Sequence, residues 1–134
     1  LAGGGATQIA LARHLRRFAE GFAGREQLAI EAFADALEII PRTLAQNAGL
    51  DPLDSLLQTV AKQTTSNDPC PHHIGLNIEN KSPTNMVSDG VVEPLRITRQ
   101  VLAGATEAAL SVLRIDDVLW AKQDPTIPEL PEED

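Results

Sequence analysis

The sequence predicts a mainly α-helical domain carrying one small β-hairpin and a short C-terminal strand. Three observations lead there. Apolar residues recur at spacings of three and four through four separate stretches, the period of a helix face. Glycines and an Asp-Pro pair punctuate those stretches where helices start and stop. Between Gln63 and Ser88 the helical period is lost among Thr, Ser, Asn, Asp, Pro and His. The chain has 134 residues, 43% of them hydrophobic, which suits one domain burying roughly two-thirds of its unfolded surface. Only 3% are aromatic, with no Tyr, so the core must come from Leu, Ile, Val and Ala.

The first helix is expected from Ala6 to about Phe22, on a stripe of Leu11, Leu15, Phe18 and Phe22. A second begins near Arg25 with the stripe Ile30, Phe33, Leu37, Ile40 and Leu44, flanked by Ala29, Ala32 and Ala36. Pro41 cannot keep an undisturbed helix interior, so a kink or restart is expected with Pro41 in a first turn. Gly49 is placed to end that helix in the left-handed conformation. Asp51-Pro52 then offers an N-cap acceptor followed by proline at the first helical position. Leu53, Leu56, Leu57 and Val60 supply the third helix's apolar face. In the polar stretch, Leu76-Asn77-Ile78 reads as a short strand returning near Met86-Val87. Asp89-Gly90 marks a turn before the last helix, about Pro94 to Leu113, with Leu95, Leu102, Ala105, Ala109 and Val112 on one face. Arg114 to Leu119 reads as the short terminal strand, and residues 123–134 as a disordered acidic tail.

Charge and termini exclude several classes. Eleven Lys and Arg stand against nineteen Asp and Glu, a net charge of −8, where a nucleic-acid binder would show a basic face. No apolar run approaches the roughly 20 residues of a membrane helix. A single cysteine, Cys70, rules out an internal disulfide and suits a reducing cytoplasm. Leu1-Ala2-Gly3-Gly4-Gly5 is neither an initiator methionine nor a signal peptide, and reads as the start of a piece cut from a longer chain.

Residue by residue, the candidate chemistry is sparse. Gly3-Gly4-Gly5 before a helix could lay backbone N–H groups against a phosphate, although a linker is the commoner role. Cys70-Pro71-His72-His73 offers three metal ligands, but a zinc site usually draws on two separated pairs. A solvated loop is favoured there, and no metal site is assigned. Glu93 fits a carboxylate stabilised by the following helix dipole better than an acceptor for a polyol such as ribose. Asp116-Asp117 reads as a polar edge rather than a cation site.

Longer strings carry more. Gly24-Arg25-Glu26-Gln27-Leu28-Ala29-Ile30-Glu31-Ala32-Phe33-Ala34-Asp35-Ala36-Leu37-Glu38, running on through Ile40-Pro41-Arg42-Thr43-Leu44-Ala45 and Asn47-Ala48-Gly49-Leu50-Asp51, resembles the group II chaperonins of the archaeal thermosome and eukaryotic cytosolic type. Ala2-Gly3-Gly4-Gly5-Ala6-Thr7, Asp89-Gly90-Val91-Val92-Glu93-Pro94-Leu95-Arg96 and Leu113-Arg114-Ile115-Asp116-Asp117-Val118 follow in the family's order. The resemblance spans residues 1–122 and implies a partial chaperonin equatorial domain, namely the C-terminal half of that ATP-binding base.

It implies that Gly3, Gly4 and Gly5 lie against the nucleotide. It implies that Asn77, within Gly75-Leu76-Asn77-Ile78, lines the base and sugar side, and that Glu93 accepts the ribose hydroxyls. The implied cofactors are ATP and Mg²⁺ in the complete parent subunit. The implied partners are other chaperonin subunits, in a homo- or hetero-oligomeric ring, and unfolded client proteins held by domains not present here. The family's Gly-Asp-Gly-Thr-Thr phosphate loop and its hydrolytic aspartates have no counterpart in the chain, so it is expected to be inactive alone. Glu79 replaces the family's usual Phe, and Pro83 stands where a return turn is expected. The rival expectation is a non-enzymatic helical interaction module that has lost nucleotide binding.

Overall fold

The computed structural model describes residues 1–116. Four helices, α1 (Ala6–Ala19), α2 (Arg25–Asn47), α3 (Pro52–Thr65) and α4 (Leu95–Leu113), are joined by a short 3₁₀ turn at Pro71–His73 and a hairpin of β1 (Ile74–Asn77) and β2 (Ser82–Asn85). The mainly helical fold with a small hairpin is therefore as expected. The chain divides into two compact units, Leu1–Thr98 and a second beginning at Arg99. The first holds α1 to α3, the hairpin and the first turn of α4. The described part of the second is the remainder of α4, in which Val101, Leu110, Val112 and Leu113 are exposed. Arg114 forms a turn, and Ile115 and Asp116 lie in no regular element. The rest of the expected terminal strand, Asp117 and the expected tail at 123–134 lie outside the described residues.

The helices form where expected, but they bury different faces. In α1, which ends at Ala19 rather than near Phe22, the buried apolar residues are Ala6, Ile9, Ala12 and Ala19, while Phe18 and, beyond the helix, Phe22 are exposed, their tilted rings 4.9 Å apart between centroids. α2 buries Ala34, Leu37, Pro41 and Ala45, leaving Phe33 and Ile40 at the surface. The cause is the small side chains: alanines lining both helices let the axes approach, so the pair closes on its Ala faces. Between them runs a polar clamp. Buried Glu38 accepts hydrogen bonds from Arg16 and, at 3.2 Å, from Arg42, and Arg16 also reaches Asp35 at 2.7 Å. Glu38 first, then Asp35, holds the Arg16 guanidinium's pKa above its ordinary value.

Pro41 departs from expectation. α2 runs unbroken through it, at the expense of one ladder hydrogen bond, because its ring is buried against the loop before α1. A Cβ placed on Gly5 would lie 2.6 Å from the Pro41 Cβ. Downstream the boundary signals hold. Gly49 has φ +72°, and the N–H groups of Gly49 and Leu50 donate to Gln46 and Ala45, closing α2. Asp51 Oδ1 accepts from the N–H groups of Leu53 (2.9 Å) and Asp54 (2.8 Å), capping α3. In α3 the buried residues are Leu56, Thr59 and Gln63, whereas Leu53 and Leu57 are exposed.

The hairpin is shifted from its expected position: its strands are 74–77 and 82–85, not 76–78 and a return at 86–87. Pro83 sits inside β2 opposite Leu76 rather than in the turn. It is tolerated because Leu76 sends its N–H away from β2, to the Gly4 carbonyl (2.8 Å), so this pair needs no donor from proline. Lys62 Nζ then caps the outward Pro83 carbonyl.

Candidate functional site

The glycine loop is built by close packing. Gly3 donates its N–H to the Val91 carbonyl (3.0 Å), Leu1 and Glu93 exchange backbone hydrogen bonds of 2.8 Å, and Ala2 bridges Val92. The segment before α1 thus runs antiparallel to the segment before α4. Gly4 and Gly5 have φ of +61° and +74°, a region L side chains avoid. A Cβ on Gly4 would meet the Leu76 carbonyl oxygen at 2.8 Å and Met86 Sδ at 2.9 Å, and one on Gly75 would meet the Gly3 oxygen at 2.7 Å. Glycine is required here by the close approach of β1 as well as by backbone conformation. Among the described residues, none accepts a hydrogen bond from the N–H of Gly4 or Gly5.

Beside this loop opens a cleft of about 490 Å³ lined by Gly4, Leu44, Leu76, Asn77, Ile78, Met86, Asp89 and Val91, with Glu79 and Asn80 at the hairpin turn. Its size is that of a small-ligand pocket. The apolar walls could receive the flat face of a base. The polar edge is a network: Asn77 Nδ2 donates to Asp89 Oδ2 (2.9 Å), and Thr84 Oγ1 donates to the same oxygen. Asn77 Oδ1 accepts from the N–H groups of Glu79 (2.9 Å) and Asn80 (3.1 Å). The Thr84 hydroxyl first, then the Asn77 amide, holds the Asp89 carboxyl below its ordinary pKa, so it is ionised at neutral pH.

Of the residues singled out in the sequence, Gly4 and Asn77 face one cleft. Gly3 lies behind its Val91 wall, and Gly5 packs on Pro41. Glu93 stands two residues beyond Val91, outside the lining, half-buried, with Oε2 accepting from Thr98 Oγ1 at 3.4 Å. In the sequence Asp89 reads as a turn residue and as the head of the Asp89–Arg96 string, with no site role. Its place on the cleft had no sequence signal, because its partners Asn77 and Thr84 meet it only once β1 and β2 pair. Among the described residues, one cluster of three or more metal-ligating side chains occurs, Cys70 with His72 and His73; the carboxylates lining the cleft are Asp89 and Glu79.

The family model described as the TCP-1/cpn60 chaperonin family matches residues 1–123. Over 123 residues the chain is 54% identical to a thermosome subunit of Methanopyrus kandleri, covering 92% of this chain and 22% of that protein. Over 119 residues it is 53% identical to thermosome subunit alpha of Halobacterium salinarum, covering 89% and 20%. The chain thus spans about a fifth of the length of the curated relatives it matches. Its fold is similar to that of an open-state monomer of a group II chaperonin from Methanococcoides burtonii, with a TM-score of 0.79 and 40% identity, covering 86% of this chain and 28% of that one.

Proposed function

The chain belongs to the TCP-1/cpn60 chaperonin family, and from that premise we propose that it forms the C-terminal half of the ATP-binding base of a chaperonin subunit. The complete subunit would assemble with others into a ring in the cytoplasm and use ATP to fold client proteins held by its remaining domains. The observation that carries this reading is the cleft at Gly4 and Asn77, with Glu93 tied to it through the ladder from Gly3 to Val91.

The residues suit the base and sugar side of a nucleotide. Leu76, Ile78, Met86 and Val91 offer apolar surface to a purine. The N–H groups of Gly4 and Gly5, at the start of α1 and with no acceptor among the described residues, suit the phosphate side, where backbone donors and the positive helix end favour an anion. The ionised Asp89 on the hairpin side would turn phosphates away from that wall. Mg²⁺ is held through one or two carboxylates together with phosphate oxygens; among the described residues the cleft offers the carboxylates of Asp89 and Glu79, and Asp89 is already engaged by Asn77 and Thr84, so further ligands would come from the rest of the subunit. Hydrolysis needs a positioned water and a group to orient it, so this chain alone should leave ATP intact.

The test is Glu93→Ala in the complete subunit. If Glu93 accepts the ribose hydroxyls, ATP binding should weaken by about 1.5–3 kcal/mol, the worth of a hydrogen bond to a charged group, or roughly 10- to 150-fold in Kd. The loss should shrink for the 2′- or 3′-deoxy analogue that already lacks the contact. Equal losses for ATP and both analogues would remove Glu93 from the ribose.

A further inference from the structure

The loop between α3 and β1 holds a cluster that the nucleotide reading does not use. From sequence alone it carried no metal assignment, because no second ligand pair accompanies it. The structure adds what spacing could not: Cys70 Sγ and one ring nitrogen each of His72 and His73 all lie within 4.8 Å of one another. We propose that these three side chains bind one Zn²⁺ ion, with water completing the tetrahedron.

Geometry, donor type and the loop's construction carry the proposal. Zinc bonds of about 2.0–2.3 Å at tetrahedral angles set ligand atoms roughly 3.3–3.7 Å apart. The observed spread needs closure by about 1 Å, within reach of side-chain rotation. One thiolate with two imidazoles is a borderline-soft donor set that suits zinc and repels Mg²⁺ or Ca²⁺, which take oxygen. Three protein ligands and an open fourth position is an established zinc arrangement.

The backbone that carries the ligands is pinned at both ends. Asp68 Oδ1 accepts the Cys70 N–H at 2.9 Å, and its Oδ2 accepts from Asn85 Nδ2 at 3.0 Å. The His73 N–H donates to the Cys70 carbonyl (2.9 Å), and the His73 carbonyl accepts from the Met86 N–H (3.0 Å). The imidazoles already meet edge to face with centroids 4.5 Å apart. His72 is exposed while Cys70 and His73 are half-buried, so a metal ion can enter from solvent. Binding would expel the Cys70 thiol proton.

The experiment titrates the untagged, reduced chain with Zn²⁺ by calorimetry, alongside Cys70→Ser, His72→Ala and His73→Ala. One equivalent should bind the unsubstituted chain. Each substitution should weaken binding by about tenfold or more, since removing even a partner behind a metal ligand loses about 10–100-fold. Alkylation of Cys70 in the unsubstituted chain is a second readout that needs no variant to fold, and one equivalent of Zn²⁺ should slow it. Substoichiometric binding, affinity indifferent to the three substitutions, or alkylation unaffected by Zn²⁺ would overturn the site.

Discussion

Asn77 commits its side-chain oxygen to two backbone N–H groups and one amide hydrogen to Asp89, so it shapes the hairpin turn and, among the described residues, keeps one donor without an acceptor. Asp89 is its counterpart, and the pair makes a prediction about pH. Because the folded-state pKa of Asp89 is depressed below 3.8, its contribution to stability is complete above about pH 3.8 and is lost as pH falls through the lower folded value. Thr84→Val removes the leading cause, so the Asp89 carboxyl should titrate closer to 3.8 when followed by carbon NMR. An unchanged titration would show that the Thr84 hydroxyl does not hold it. The same residues explain what spacing could not reveal. Gly4, Asn77 and Asp89 all fall in visible strings, but the bonds from Asn77 and Thr84 to Asp89 form only when β1 pairs with β2, at strand positions the apolar pattern does not suggest.

Between elements, Gln63 does what no apolar residue could. Buried on α3, it donates from Nε2 to the Ala6 carbonyl (3.1 Å) and the Ile74 carbonyl (2.7 Å), joining α3 to the start of α1 and to β1. Gln8 on α1 is also buried, yet its Oε1 has no partner among the described residues. Opposite outcomes follow for the same substitution. Gln63→Met removes the donor that the Ala6 and Ile74 carbonyls share and should cost about 1–3 kcal/mol, while Gln8→Met removes an unsatisfied acceptor and should be neutral or stabilising. Urea denaturation of both variants checks the pair, and equal destabilisation would contradict this assignment of roles. Helix starts and stops were legible because capping is local: Asp51, Pro52 and Gly49 act on neighbours within three residues. Helix facing was not. Which side of α1 and α2 is buried depends on how closely two alanine-lined helices approach, and Phe18, Phe33 and Ile40 mislead a reading that ranks residues by hydrophobicity. Pro41 misleads for a similar reason, since its tolerance rests on Gly5, thirty-six residues away in sequence.

At the scale of the whole molecule, the chain matches about a fifth of its curated relatives' length and leaves large apolar side chains exposed, among them Phe18, Leu28, Ile39, Leu53 and Leu57 in the first unit. Exposed side chains of this size are candidates for contact with other protein surface, which suits the proposed place of the chain within a larger subunit. The central proposal for such a subunit is that ATP occupies the cleft between the glycine loop and the hairpin. Ile78 is well placed to test it, because it lines that cleft and is 48% exposed, so a larger side chain fills the cleft without overpacking the core. ATP affinity of the complete subunit with Ile78→Trp, measured by calorimetry beside its melting temperature, is the most direct test. ATP binding should weaken by about tenfold or more, about 1.4 kcal/mol, at an unchanged melting temperature; unchanged affinity in the folded variant would contradict occupancy of the cleft.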